Sequence, residues 1–130
     1  MQETDYCKPV TLPYTRLRFY LETSQGTPEV FLIQLEYNLA NASSYPNMWR
    51  PIARFDHNQH SQKGHDVREE GLHMDLLDAD NTKYDVLQGF ESVPIEDAPE
   101  YCENYILEHA DTLTADFEQR NNLDGKYYPP

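Results

Sequence analysis

The strongest constraint on how this chain can fold is a change in the spacing of its apolar residues. Between residues 15 and 38 apolar and polar side chains alternate, with one stretch of turn-forming residues, 24–28, in the middle. Such alternation is typical of half-buried strands joined by a hairpin. Over residues 98–117 the apolar side chains instead recur at helical spacing. Strands followed by one long helix predict an α+β domain.

Three later segments, 49–57, 68–77 and 83–92, continue the strand pattern. We therefore expect an antiparallel sheet of about four to five strands, packed by one long C-terminal helix. A length of 130 residues suits a single domain. The expected organisation is a lead-in segment at 1–14, one α+β domain at 15–121 and a C-terminal tail at 122–130.

The charge of the chain is strongly negative. Acidic residues number 23 against 10 basic ones, which gives a formal charge of −13 and a pI near 4.5. Self-repulsion of this size is screened at about 1 M salt, where the Debye length falls to about 3 Å. The pattern resembles proteins of salt-accumulating halophiles, and the plain alternative is an ordinary acidic cytosolic protein. Either origin argues against general polyanion binding through a basic surface.

The location of the protein follows from what the sequence lacks. No apolar run approaches the ~20 residues that a membrane-spanning helix needs. The first residues also lack the basic and then apolar layout of a secretory signal. We expect a cytoplasmic protein without membrane contact. Cys7 and Cys102 form no CxxC pair, and free thiols are expected.

One window, residues 49–73, departs from the rest of the chain. It is electrically balanced, with four basic and four acidic side chains, and it holds four of the five histidines. The window is therefore a candidate site. Its histidines are His57, His60, His65 and His73.

Three hypotheses explain these histidines. Two of them could serve as general acid and base while Arg54 stabilises phosphate charge, which suits metal-free cleavage of RNA. The histidines could also bind a transition metal together with Asp56 or Asp66, although their spacing matches no closed zinc site. In the third hypothesis they are solvated hairpin residues, and Arg54 with Asp56 is a structural pair. We expect neither a cofactor nor a bound metal.

The run Arg54-Phe55-Asp56-His57, followed by His60 and then Gly64-His65-Asp66, resembles the Arg-Tyr-Asp-Asn…His…His signature of the TumE-type toxin family. A related haloarchaeal family of unknown function is the alternative. The chain differs in having His57 where the toxins have an amide. The resemblance implies a toxin that acts on RNA or translation and is neutralised by a cognate antitoxin. The residues it places in the site are Arg54, Asp56, His57, His60 and His65.

A different class of function stays open. A small sheet with an exposed edge could bind a protein partner by strand addition, without catalysis. Strand alternation also predicts that Arg54 and His57 lie on opposite faces of their strand. The separation of Arg54 from His57 weighs against a catalytic site that contains both side chains.

Overall fold

A computed structural model describes residues 1–41, 48–61 and 66–123 of the chain. Within these residues the fold is α+β, with one antiparallel sheet and one long C-terminal helix, as predicted. The strands are β1 (Gln2–Thr11), β2 (Thr15–Ser24), β3 (Thr27–Asn38), β4 (Trp49–Asn58), β5 (Met74–Leu77) and β6 (Lys83–Leu87). The helices are α1 (Val67–Glu70) and α2 (Ala98–Arg120), with 3-10 turns at Leu39–Asn41 and Ile95–Asp97.

The sheet is a simple meander in which each strand pairs with the next one along the chain, in the order β1-β2-β3-β4-β5-β6. The β2–β3 hairpin turns at Gln25 and Gly26, which both have positive φ values, 53° and 80°. Positive φ at both central residues is the geometry that matches the twist of the flanking strands. In this meander, residues that are far apart in the sequence lie side by side on one face of the sheet.

The core lies between one face of the sheet and α2. The helix contributes Cys102, Ile106 and Phe117, each fully buried. The sheet side of this core is the alternating set predicted from the sequence, extended into β4: Leu17, Phe19, Phe31, Ile33, Leu35 and Phe55. The face of the sheet turned away from α2 is called the outer face below. In the described part of the chain, no helix is long and apolar enough to cross a membrane.

The described residues form six strands, whereas about four to five were expected. The additional strand is β1, which lies within the predicted lead-in segment at 1–14. Its residues are mostly polar because it is an edge strand, and only Tyr6, Lys8, Val10 and Thr11 are shielded from solvent. Tyr6 stacks on Phe19 of β2 with the ring centroids 4.8 Å apart. β1 is therefore held by its neighbours rather than by an apolar pattern of its own.

The segment predicted as one strand at 68–77 is divided in two. Its first part forms α1, because the Asp66 carboxylate caps the helix by accepting a hydrogen bond from the Arg68 N–H at 3.0 Å. The helix ends after one turn at Gly71, where φ is 77°. Only Met74–Leu77 remains as β5.

Candidate functional site on the outer face

The centre of the outer face is a row of polar residues that runs across four strands. Arg18 on β2 pairs with Gln34 on β3, Gln34 with Arg54 on β4, and Arg54 with Asp75 on β5. Gln34 and Asp75 are only 7% and 4% exposed. Long arginine side chains can shield such groups with their aliphatic stems while keeping their charged ends near water. The row places a buried carboxylate beside partly exposed cations.

Asp75 organises this row. Its Oδ2 lies 3.6 Å from Nη2 of Arg54, and its Oδ1 lies 3.5 Å from Nζ of Lys83. Among the described residues, Oδ1 has no hydrogen-bond donor in bonding geometry, although it is buried. Buried polar atoms almost always have a hydrogen-bond partner, so an exception calls for an explanation. Asp75 therefore holds two cations through its two oxygens, and Oδ1 keeps an unused capacity to accept a hydrogen bond.

A cavity of about 550 Å³ opens beside Asp75, between the α1–β5 connection and β6. This volume lies in the range of small-molecule sites. We call it the outer-face cavity, and it is lined by Glu70, Gly71, Leu72, His73, Asp75, Lys83, Val86, Gln88, Gly89 and Phe90. A carboxylate, an ammonium group and an imidazole thus border one space. Arg54 stands behind Asp75 as the second cation.

Two further arginines extend the outer face toward β1. Arg16 contacts Glu36 through Nε at 2.6 Å, and its guanidinium lies 4.2 Å from the ring centroid of Trp49. Arg18 lies 3.5 Å from the carboxylate of Asp5. Trp49 is the only tryptophan of the chain, so its fluorescence reports on this face alone.

The charge of the cavity region is nearly balanced. Arg54 and Lys83 oppose Asp75, Glu70 and Asp56, and the Asp56 carboxylate lies 4.0 Å from Nε of Arg54. These five groups sum to −1. In a chain of charge −13 this balance makes the cavity a place where an anion meets comparatively little repulsion.

Residues 1–123 match the model of DUF7718, which is described as a domain of unknown function. The chain belongs to the DUF7718 family. No curated protein and no solved structure matches it.

His57 lies on the side of the DUF7718 sheet that faces α2, away from the outer-face cavity. It pairs with Phe31, stacks on that ring at 5.3 Å and is only 1% exposed. Its Nδ1 accepts a hydrogen bond from the Val67 N–H at 3.1 Å. Burial lowers the pKa of His57, and the Asp66 carboxylate, 3.9 Å from Nδ1, opposes this shift. These contacts are those of a neutral imidazole that holds α1 against the sheet.

The other predicted residues of the site are spread apart. Arg54 and Asp56 share the outer face, whereas His60 lies just beyond β4, where its Nε2 is 3.0 Å from Glu29. His65 lies outside the described residues. The structure thus brings Arg54 and Asp56 together and sets His57 and His60 apart from them. Within 1–41, 48–61 and 66–123, no group of three or more acidic, histidine or cysteine side chains is arranged to hold a metal ion.

Sequence reasoning overlooked the residues that complete the site. Asp75 and Lys83 lie after the balanced window, and His73 was considered only as one histidine among four. Alternation in the predicted strand at 68–77 does place His73 and Asp75 on the same face. Alternation does not give the strand register that pairs Asp75 with Arg54.

Proposed function

We propose that this protein acts on RNA at the outer-face cavity, as a TumE-like toxin of a halophilic cytoplasm. The observation that supports this proposal best is the environment of Asp75. The buried Asp75 carboxylate lies on the wall of a cavity between two cations, with Oδ2 near Arg54 and with Oδ1, which has no donor in bonding geometry, near Lys83. A ligand that fits must offer both a hydroxyl donor and an anionic group. Ribose joined to phosphate offers both.

The proposed chemistry is cleavage of RNA by its own 2′-hydroxyl. The 2′-oxygen attacks phosphorus while the bond to the 5′-oxygen breaks, which leaves a 2′,3′-cyclic phosphate and a 5′-hydroxyl. The 2′-hydroxyl donates its hydrogen bond to Asp75 when the ribose binds and then turns it to the His73 imidazole, which takes the proton as the 2′-oxygen attacks. Water protonates the departing 5′-oxygen, and the hydroxide that this leaves takes the proton back from His73. Arg54 and Lys83 stabilise the charge that develops on phosphate. A histidine is suited to proton transfer because its ordinary pKa lies near neutral pH.

The overall charge of the chain sets the conditions for this activity. At low salt a protein of charge −13 repels a polyanion at long range. Molar salt removes the repulsion, but it also weakens attractive phosphate contacts. Binding at high salt must then depend on short contacts such as hydrogen bonds and base stacking. Trp49 with Arg16 is an aromatic and cationic surface on the same face of the sheet.

The experiment that tests this proposal is induced expression in a halophilic host, with growth and RNA integrity as readouts. We compare the wild type with His73→Ala and Asp75→Asn, each checked for folding. His109→Gln is the matched control, because His109 lies on α2 and stacks on Tyr105 at 4.0 Å. We expect growth arrest with RNA loss in the wild type and the control, and neither effect in the two site variants.

Other outcomes have distinct meanings. Growth arrest with intact RNA would mean that the protein is a toxin whose target is not RNA. RNA loss that persists in both site variants would place the chemistry elsewhere, with His57, His60 and His65 as the remaining candidates. We propose an antitoxin as the partner of this toxin. If toxicity is confirmed, coexpressing each neighbouring gene with the toxin will show which one restores growth.

The second candidate function is a non-catalytic interaction module. The observation that favours it is β1, a ten-residue strand at the edge of the sheet that pairs with β2 alone among the described strands. An unpaired strand edge is a template for strand addition by a partner. Replacing Thr4, which lies within β1, by proline should abolish partner capture if this function is correct. The same variant should leave RNA loss unchanged if the first is correct.

A further inference from the structure

The helix α1 is short and is anchored at its first residue. It comprises only Val67–Glu70, and none of its residues is fully buried. Val67 packs partly against the core. The Val67 N–H donates to Nδ1 of His57, which is almost completely buried. A buried side chain on β4 thus fixes the point at which α1 begins.

The residues that follow α1 form one wall of the outer-face cavity. Glu70, Gly71, Leu72 and His73 all border it, and β5 begins directly afterwards at Met74. A shift at the start of α1 would therefore be transmitted to His73 over a few residues. His57 and the opening of the cavity beside Asp75 lie on opposite sides of the sheet.

The contact with Val67 defines the protonation state of His57. Because Nδ1 accepts a hydrogen bond, it carries no proton, and the neutral ring has its proton on Nε2. Protonation of Nδ1 would set two donors against each other and break this hydrogen bond. The remaining nitrogen, Nε2, is buried and has no partner in strict hydrogen-bond geometry among the described residues, although the Gln59 side chain interacts with the ring and favours its charged form.

The groups around His57 act in opposite directions. Burial disfavours the charged imidazole, and the Arg68 guanidinium of α1 adds to this effect. The carboxylates of Asp66 and of Asp56 favour the charged form. Phe31 of β3, which stacks on the ring, carries no charge. The balance leaves the pKa of His57 below its ordinary value.

We propose that His57 is a positioning residue, whose neutral ring fixes α1 and thereby the His73 wall of the outer-face cavity, and whose protonation releases this wall. The proposal rests on the proposed function for its effect on RNA, but the release itself can be measured independently. Acidification should loosen residues 67–73 before the protein unfolds.

The test compares the wild type with His57→Asn. The amide oxygen of asparagine can stand near the position of Nδ1 and accept the Val67 N–H, but it does not titrate in this range. The first readout is the hydrogen-exchange protection factor of the Val67 amide between about pH 7.5 and about pH 5. The second is binding of a short oligo-uridylate, followed by Trp49 fluorescence. His60→Asn is the matched control, because His60 pairs with Glu29 in an exposed position.

We expect protection of Val67 to fall about tenfold on acidification in the wild type and in His60→Asn, and to stay level in His57→Asn. An equal fall in all three proteins, or none in the wild type, would overturn the proposal. If His57→Asn does not fold, NMR titration of the His57 ring in the wild type decides instead. The loss of protection at Val67 must then begin near the ordinary pKa of histidine and level off at the midpoint of this titration. Failure of oligo-uridylate to bind any of the proteins contradicts the proposed function and leaves the exchange result valid.

Discussion

Arg54 and His57 lie on the same strand, β4, but their side chains are on opposite faces of the sheet. Arg54 pairs with Gln34 on the outer face, whereas His57 pairs with Phe31 beneath α2. A site that needs an exposed imidazole beside the Arg54 guanidinium must therefore take it from another strand. His73, which directly precedes β5 and borders the outer-face cavity together with Asp75, is the histidine that we propose for this role.

The first prediction concerns the two histidines at the end of β4. His57→Ala removes a buried ring and the acceptor for the Val67 N–H, so we expect the free energy of unfolding to fall by about 2–4 kcal/mol. His60→Ala affects an exposed residue and should change it by less than about 0.5 kcal/mol. Urea denaturation at neutral pH measures both values. Similar values for the two variants would contradict the structural role given to His57.

The second prediction concerns Tyr37 and Glu118 in the core. The Tyr37 hydroxyl donates to Oε2 of Glu118 at 2.7 Å, and both residues are buried. Burial raises the pKa of Tyr37, and the bond to Glu118 and its charge raise the pKa further. The folded state therefore holds the phenol proton more tightly than the unfolded chain does. This contribution to stability is complete below about pH 10 and is lost as the pH rises beyond that value.

Tyr37→Phe should accordingly lower the free energy of unfolding at neutral pH by about 1–3 kcal/mol. It should also flatten the decline of stability at alkaline pH. Urea denaturation over a pH series from neutral to alkaline provides the measurement. Tyr84→Phe is the control because Tyr84 is 57% exposed. An alkaline decline that is equally steep in Tyr37→Phe would show that another group causes it.

The third prediction concerns the attachment of β1 to α2. The Tyr6 hydroxyl donates to the Glu103 carboxylate, and Lys8 Nζ lies 3.4 Å from the same oxygen. Ion pairs that are partly exposed contribute little, so Glu103→Ala should cost about 1 kcal/mol or less in global stability. Amide exchange in β1 should nevertheless accelerate severalfold, because a weakly held edge strand opens locally. Glu100→Ala, on an exposed position of the same helix, should leave exchange in β1 unchanged.

The elements that could be predicted from the sequence are those whose apolar residues are regularly spaced. β2, β3 and α2 carry regular apolar spacing, because each covers the core with one face. β1 has no such spacing, since it is stabilised by pairing with β2 and by the contact of Tyr6 with Phe19. α1 depends on the Asp66 cap and on His57, which is distant in sequence.

The candidate site was foreseen only on the β4 side. Alternation along β4 correctly separated Arg54 from His57. The pairing of β5 with β4, which brings Asp75 to Arg54, depends on register between segments that a loop separates. Sequence periodicity assigns faces but does not fix this register. The cavity beside Asp75 also depends on how β6, which supplies Lys83 and Val86 to its lining, pairs with β5.

The last prediction concerns salt and follows from where the negative charge lies. The exposed side of α2 bears Glu100, Glu108, Asp111 and Asp116, which are part of the net charge of −13. Like charges repel within the folded state, and salt screens this repulsion as the Debye length shortens. Raising KCl from about 0.2 M to about 2 M should increase the free energy of unfolding by about 1–3 kcal/mol.

Screening must be separated from the general effect of salt on apolar burial. A variant in which the four helix carboxylates named above become the corresponding amides keeps the shape of the side chains and removes their charge. Its stability should exceed that of the wild type at low salt, and its increase with KCl should be clearly smaller. If both proteins gain equally from KCl, the repulsion on α2 is not what salt relieves. The effect would then come from stronger burial of apolar surface.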